Sequence, residues 1–484
     1  MDSLTHTQSI NDDFLGEGSY GCVYYPGIDC KGKKNTKKTV TKVQDINFYS
    51  KNEKNIGLLI KKNIKNFKNY FSPIIKACIV TFDIIEKSNL NLKKCDTLFE
   101  DYNSSIANVI NYTYTNYTNY DTSDTNDTND TSDTNDTLKQ KVYTEYFLMY
   151  SYYIKNKSLK EYYSNNTNYV NYVISILNNF SYLLTSLTLL NKNKIIHNDL
   201  HINNILINLK TNKPIIIDFG LSFQINNCYK LNKNTIDFYY LKKFIFDFRT
   251  DHYHINIEKR FLCFFIYNTN EDFYSVIDSN NVANLLTKTT IDLFINDSYD
   301  SILNNSEISD FFSNDELSEY KKALQQFYYQ FHNKMKYPTY TVIAKYLLDF
   351  VYAYNDLYSL TIDFLYIYYN NKVFLENNST NENKNLKIFL DFFIQLYKKV
   401  LYPDPNMRLK LNEVYNIYMF IINYIKNIEI NITSKYTADF IIAFTKFLKS
   451  KSISIKVVFN KNFAFLNFNL LCNKTMFEFI KLNI

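Results

Sequence analysis

A chain of 484 residues that contains only seven glycines places three of them within six positions, Gly16-Glu17-Gly18-Ser19-Tyr20-Gly21. Glycine is required where backbone comes close to a ligand or to other backbone, or where φ turns positive. A cluster of it in a glycine-poor chain marks a place where main chain does the contacting. Strand-like text flanks the cluster, Phe14-Leu15 before it and Cys22 to Tyr25 after it, so it reads as a hairpin. A dinucleotide fingerprint would run from a strand into a helix, which makes it the weaker reading here. A hairpin whose backbone N–H groups face phosphates is the stronger reading, and an ordinary glycine turn is the plain alternative.

Composition decides which other residues carry weight. The cationic total of 54 is nearly all Lys, with Arg only at Arg249, Arg260 and Arg408; there are 45 Tyr and 39 Phe but no Trp. That skew follows AT-rich codons, so a lone Lys or Asn means little and a retained Gly or Arg means more. A net charge of +6 is dilute over this length, and nucleic-acid or membrane binding is not indicated. The basic stretch Lys61 to Lys68 reads as a solvated helix end. The seven cysteines, odd in number and scattered, are not read as a disulfide framework. The polar start, Met1 to Asp13, holds no signal-peptide core, and no run is read as reaching the roughly 18 to 20 apolar residues of a bilayer span. The expectation is a soluble protein of a reducing compartment, with sequons such as Asn111-Tyr112-Thr113 present by chance.

Asp121 to Thr137 is an Asp-Thr-Ser/Asn repeat without an apolar residue, and with its neighbours it reads as a disordered insertion at about 111–138. Apolar strand text lies on both sides, Ile74 to Phe82 and Val142 to Tyr150. Thr39 to Val43 reads as a further strand and Asn52 to Ile64 as a helix. Val173, Ile176, Leu177, Phe180, Leu184 and Leu187 form a helical core stripe. Ile195-Ile196, Ile205 to Ile207 and Ile215 to Ile217 read as short strands joined by a polar loop and a Thr211-Asn212 turn. From Ile236 onward the text is mostly helical. The fold class expected is α+β with two lobes: a small β-rich N-lobe over 10–150, a large helical C-lobe over 151–425, and a C-terminal extension, 426–484, without a legible motif.

The chemistry-bearing residues fall in order along this frame. Lys42 sits inside an apolar strand and needs an anionic partner, because a lone buried ammonium is costly. Glu53, on the following helix, is the proposed partner. Asp199, in His197-Asn198-Asp199-Leu200-His201-Ile202-Asn203-Asn204, suits the proton acceptor of phosphoryl transfer, while Asn204 and Asp218 of Asp218-Phe219-Gly220 offer hard oxygens to Mg²⁺. The candidate nucleotide-contacting residues are Leu15, Gly16, Glu17, Gly18, Ser19, Tyr20, Gly21, Cys22, Val23 and Lys42. Asp251-His252-Tyr253-His254 lacks the further ligands of a metal site.

At these residues the chain resembles the protein-kinase superfamily over most of 14–420, and the resemblance implies a bilobal protein-kinase-like fold with ATP and Mg²⁺ as cofactors. Tyr402-Pro403-Asp404-Pro405-Asn406-Met407-Arg408 is similar to the family's late helical segment. Gly21-Cys22-Val23, Phe71-Ser72-Pro73-Ile74-Ile75 and His197-Asn198-Asp199-Leu200-His201 resemble serine/threonine kinases of large nucleocytoplasmic DNA viruses. The implied activity is a serine/threonine protein kinase with a protein substrate, in host cytoplasm or virion.

The departures from that family text carry expectations too. Asn198 stands where an arginine usually precedes the catalytic aspartate, which implies no phosphorylation-read switch. His201 stands where a lysine is common, and the pattern also resembles aminoglycoside and choline kinases. Thr235-Ile236-Asp237-Phe238 resembles the small atypical kinase of the KEOPS complex, in which a short segment leads straight into the central helix. On that likeness Asp237 would brace the catalytic loop. No Ala-Pro-Glu is found, so the text offers Arg408 no evident glutamate partner. The alternatives kept open are a small-molecule kinase or complex-bound ATPase, and a pseudokinase scaffold.

Overall fold

The computed structural model describes residues 13–18, 20–35, 38–88, 90–98, 145–164, 168–230, 235–246, 254–267, 286–335, 339–377, 384–427, 446–447, 455–459 and 466–470. The expected insertion at 111–138 and Ser19 of the glycine cluster lie outside them. The chain divides into two compact units: 1–155 together with 217–221, and 156–216 together with 222–484.

The first unit is built on an antiparallel five-stranded sheet. Its strands are β1 (Phe14–Gly18), β2 (Gly21–Tyr24), β3 (Thr39–Asp45), β4 (Lys76–Thr81) and β5 (Glu145–Tyr152), in the order β1-β2-β3-β5-β4. Alternation along the central β5 sorts its side chains to two faces. Tyr146, Leu148 and Tyr150 join Cys22, Tyr24, Val43 and Val80 in one core, while Phe147 and Met149 pack with Ile74 on the other side. Helix α1 spans Phe48–Asn63. It starts earlier than the apolar periodicity predicts because Asn47 and Ser50 cap it reciprocally: Ser50 N–H donates to Asn47 Oδ1, and Asn47 N–H donates to Ser50 Oγ, both at 2.9 Å. Its buried stripe is Ser50, Glu53, Ile56, Gly57 and Ile60. That spacing puts Glu53 on the same face as the apolar residues that dock the helix. The predicted strand Ile74 to Phe82 is shorter, since Phe82–Glu86 turns helical as α2.

Four cysteines of this unit are paired, Cys22 with Cys95 and Cys30 with Cys78. This corrects the reading that the scattered cysteines make no disulfide framework. Each pair ties a strand residue, Cys22 on β2 or Cys78 on β4, to a residue outside the sheet, 73 and 48 positions apart, which sequence spacing does not reveal.

The second unit is mostly helical. Small antiparallel pairings frame the loop that carries Asp199: β6 (Asn156–Ser158), β8 (Ile205–Asn208) and β9 (Lys213–Ile216) form one sheet in the order β6-β8-β9, and β7 (Ile195–Ile196) pairs with β10 (Phe223–Gln224). The helices, continuing from α1 and α2, are α3 (Leu159–Ser164), α4 (Tyr169–Lys192), α5 (Phe238–Leu241), α6 (Ile257–Tyr267), α7 (Lys288–Leu303), α8 (Ser306–Ser309), α9 (Asn314–Lys334), α10 (Tyr340–Asn370), α11 (Lys372–Asn377), α12 (Lys384–Val400) and α13 (Leu411–Asn427). The hairpin β11 (Ile455–Phe459) and β12 (Leu466–Leu470) lies in the C-terminal stretch that carries no motif.

Within α4, Asn171–Lys192 does reach the length and hydropathy of a bilayer span, with a mean hydropathy of 1.5, contrary to the reading that no run does so. Its stripe is nevertheless core: Val173, Ile176, Leu177, Phe180, Leu184 and Leu187 are all buried. Phe180 packs its ring against Phe364 of α10, Tyr397 of α12 and Tyr418 of α13, with centroids 4.8–4.9 Å apart. Length and hydropathy alone do not separate such a core helix from a membrane one.

Candidate active site

In the first unit a cation and two carboxylates converge. Lys42 on β3 pairs in register with Val23 on β2 and Met149 on β5, and the α1 face carries Glu53 to it. Lys42 Nζ donates to Glu53 Oε2 at 2.8 Å and lies 3.9 Å from Asp218 Oδ1. Both members of the Lys42–Glu53 pair are largely buried, whereas the Asp218 carboxylate is 45% exposed. Burial opposes the charge on Lys42, but Glu53 and Asp218 overcome it and hold the ammonium above the usual lysine range. Asp218 takes a left-handed φ of 57°, and its Oδ1 accepts from Gly220 N–H at 3.2 Å. Asn52 Nδ2 donates to Gly220 O at 3.3 Å, and Phe219 packs edge-on against Phe71. The Asp-Phe-Gly turn is thereby fixed by α1 and the segment after it.

The glycines of the β1–β2 hairpin differ in what demands them. A Cβ at Gly21 would fall 2.1 Å from Val43 O, so β3 itself excludes a side chain there. At Gly16 it would meet nothing within 4 Å, and at Gly18 only Gly21 O at 3.9 Å. The protein's own packing thus leaves room at Gly16 and Gly18, and the backbone there is open to approach. The hairpin is held from the side by Thr97, whose N–H and hydroxyl donate to Glu17 Oε1 and whose hydroxyl reaches Gly18 O at 3.1 Å. These bonds pull the Glu17 carboxyl below its ordinary range. Leu15 is exposed, Tyr20 stacks on Tyr49, and Val23 shares the Lys42 face. The Cys22 side chain does not join them. One residue from Val23, it faces the opposite core and is tied to Cys95, leaving only its backbone on offer.

In the second unit, Asp199 stands in a loop stitched together locally. Asn204 Nδ2 donates to Asp199 O at 2.8 Å and to Asp199 Oδ2 at 3.2 Å. His201 Nε2 lies 3.8 Å from the same carboxylate oxygen, while its Nδ1 accepts from Asn203 N–H. The turn before Asp199 is anchored from α10. Asp356 accepts from His197 N–H at 2.7 Å and from Asn198 N–H at 2.9 Å, with Asn198 in a left-handed conformation at φ 70°. About two helical turns further along α10, Asp363 accepts from Ile202 N–H, and burial keeps its carboxyl far above the ordinary range.

Asp356, and not Asp237, is therefore the brace of this loop. Asp237 caps the short helix α5 by accepting from Tyr240 N–H at 3.1 Å. The central helix is α10, more than a hundred residues beyond Gly220, so the expectation of a short segment leading straight into it is overturned. Arg408 also has its glutamate. Its Nη1 donates to Glu258 Oε2 at 2.7 Å, with both side chains fully buried. Asn256-Ile257-Glu258 thus supplies the glutamate that Ala-Pro-Glu text would have carried. In the sequence its one signal is Arg408 itself, a rare arginine in need of an anion. Of the His-containing stretch, 251–253 lies outside the described residues, and His254 Nδ1 is 3.9 Å from Asp363.

Residues 127–246 match the family model described as the protein kinase domain. The matched span includes Asp199, Asn204 and Asp218 and begins after the glycine hairpin, Lys42 and Glu53. No curated protein matches the chain. The match supports the protein kinase superfamily and a kinase-type phosphotransferase, and the fold is the α+β protein-kinase-like one, with a β-rich N-terminal unit and a helical C-terminal unit.

Proposed function

We propose that this chain is an ATP- and Mg²⁺-dependent phosphotransferase that acts on a protein serine or threonine hydroxyl. The observation that carries the reading is the Lys42–Glu53–Asp218 cluster. One cation against two carboxylates leaves excess negative charge, and the more exposed carboxylate, Asp218, is the natural ligand for a divalent cation. A lysine already held protonated by Glu53 can grip phosphate oxygens without reorganising. The open backbone at Gly16 and Gly18 fits a polyphosphate, since none of the described residues crowds a Cβ at either position.

Asn204 would offer its carboxamide oxygen to Mg²⁺, because its nitrogen is already committed to Asp199. Bound Mg²⁺ would neutralise charge on the phosphate oxygens. Asp199 would orient the acceptor hydroxyl and take its proton, and the Asn204 bonds hold that carboxylate in place. Likeness of wording to viral kinases supports a viral serine/threonine kinase; the two cystines favour the virion over a reducing host cytoplasm.

Asp199→Asn is expected to lower transfer by ~10²–10⁴-fold while sparing Mg²⁺-ATP binding, measured with radiolabelled ATP and by calorimetry. Full activity in that variant would defeat the assignment. A second reading, a small-molecule kinase, rests on His201 beside Asp199. Parallel panels of basic proteins, acidic proteins and amino alcohols separate the two, and ATP binding without turnover would point to a pseudokinase.

A further inference from the structure

Lys259 is the second residue of pair Glu258-Lys259 on α6, and it is fully buried, with 0% of its surface exposed. Burying an ammonium costs several kcal/mol unless its donors find partners. Its Nζ donates to Asn198 Oδ1 at 2.7 Å, and the other end of that carboxamide, Nδ2, donates to Phe244 O at 2.9 Å. Asn198 is the residue immediately before Asp199, its backbone is left-handed, and its N–H is already fixed by Asp356. The turn that presents Asp199 is thus held at three points: a carboxylate from α10, a carbonyl before α6, and the ammonium from α6.

A methionine of the same length would fill the volume without the desolvation cost. A lysine earns its place there only if its hydrogen bond matters, and that bond goes to the neighbour of the candidate base.

We infer that Lys259 is a positioning residue for Asp199, acting through Asn198, an inference that rests on the phosphotransfer reading above. Burial draws its pKa down to about 8, against the pull of Cys263 on its own helix, Asp199 in the loop and Asp356 on α10, so it is still mostly protonated at neutral pH. The hydrogen bond is accordingly charge-assisted.

The test compares wild type, Lys259→Met, Asn198→Gly and the double variant. Glycine is chosen at 198 because it accepts the positive φ without strain. Transfer from radiolabelled Mg²⁺-ATP is followed to casein, histone, ethanolamine and water, with thermal melting as a control for folding. Each single variant is expected to lose roughly 10–100-fold in kcat, the scale of a misplaced catalytic group, with KM for ATP within about twofold. The double variant should be no worse than the poorer single one.

A readout that simple packing would not move is the alkaline limb of kcat near pH 8, present in wild type and absent in Lys259→Met. If Lys259→Met does not fold, Asn198→Gly carries the kcat comparison. Additive losses, a loss below about threefold in both singles, or a raised KM with unchanged kcat would overturn the inference while leaving the kinase reading intact. A wild-type protein that labels none of the acceptors and releases no phosphate would defeat both.

Discussion

The Arg408–Glu258 pair gives the architecture of the helical unit a quantitative test. The pair is fully buried, at 2.7 Å, and Glu258 Oε1 has no hydrogen-bond partner among the described residues. Arg408 also donates through Nε to Tyr402 O and through Nη2 to Pro403 O at 3.1 Å, and its guanidinium lies over the rings of Tyr354 and Tyr358. Glu258 and the Arg–carboxylate bond together hold its charge firmly against the cost of burial. Arg408→Met keeps the apolar stem but leaves the Glu258 charge without its counterion, a loss of about 3–5 kcal/mol. Two carbonyls lose their donors as well, at about 1–3 kcal/mol each if water stays out. Because these terms share one site, the expected total is about 4–6 kcal/mol rather than their sum.

Glu258→Leu should cost nearly as much, through the orphaned guanidinium. The double variant, Arg408→Met with Glu258→Leu, removes both charges and leaves only the carbonyls unpaired. It is expected within about 2 kcal/mol of wild type, which makes the coupling roughly 6–10 kcal/mol. Urea unfolding followed by far-UV circular dichroism, with the unfolding slopes compared across the four proteins, measures each value. A loss below 1 kcal/mol in Arg408→Met, or a double variant as unstable as the sum of the singles, would refute the buried ion pair.

Three further outcomes follow from the geometry. Gly21→Ala should destabilise the β-rich unit by about 1–3 kcal/mol, the range for overpacking, whereas Gly16→Ala should leave stability within about 0.5 kcal/mol and weaken ATP binding; equal melting losses in both would contradict the room seen at Gly16. Between pH 8 and 10.5 the native Lys259 is neutral while the unfolded one is still protonated, so the unfolded chain binds more protons and this residue makes stability rise with pH across that window. Lys259→Met should flatten that rise in pH-dependent urea titrations, and an unchanged slope would rule the group out as its source. Reducing Cys22–Cys95, which closes a separation of 73 residues, is expected to cost about 4 kcal/mol on chain-entropy grounds. Peptide mapping without reductant should recover Cys22–Cys95 and Cys30–Cys78, and free thiols at all four positions would refute both pairs.

What could be read from the sequence divides along a physical line. Glu53 was legible because a helix stripe and a strand lysine in need of an anion left a single glutamate between them. The core stripe of α4 was legible from its period. Local pattern fixes such things, since helical and strand spacing place side chains on faces. Long-range pairing is another matter. Asp356 reaches His197 and Asn198 across 159 and 158 positions, Glu258 reaches Arg408 across 150, and the cystines close separations of 73 and 48. None of these partners has a local signature, and Asp237 was the wrong brace because it caps the start of α5, whereas Asp356 projects from the middle of α10.

The same distinction explains which deviations from familiar text the fold tolerates. Replacing Ala-Pro by Asn256-Ile257 changes backbone preference near a helix start, where Asn256 can cap, accepting from Lys259 N–H at 3.2 Å. The glutamate that follows cannot drift in the same way while Arg408 remains buried, for each charge makes the other's loss expensive. Asn198 is freer, because its side chain is neutral; once the arginine is gone, the position needs only a left-handed backbone and an acceptor for Lys259. Paired buried charge, more than the surrounding wording, is therefore what to search for in the next chain of this composition: a rare arginine or a strand lysine first, then every carboxylate that a helix could carry to it.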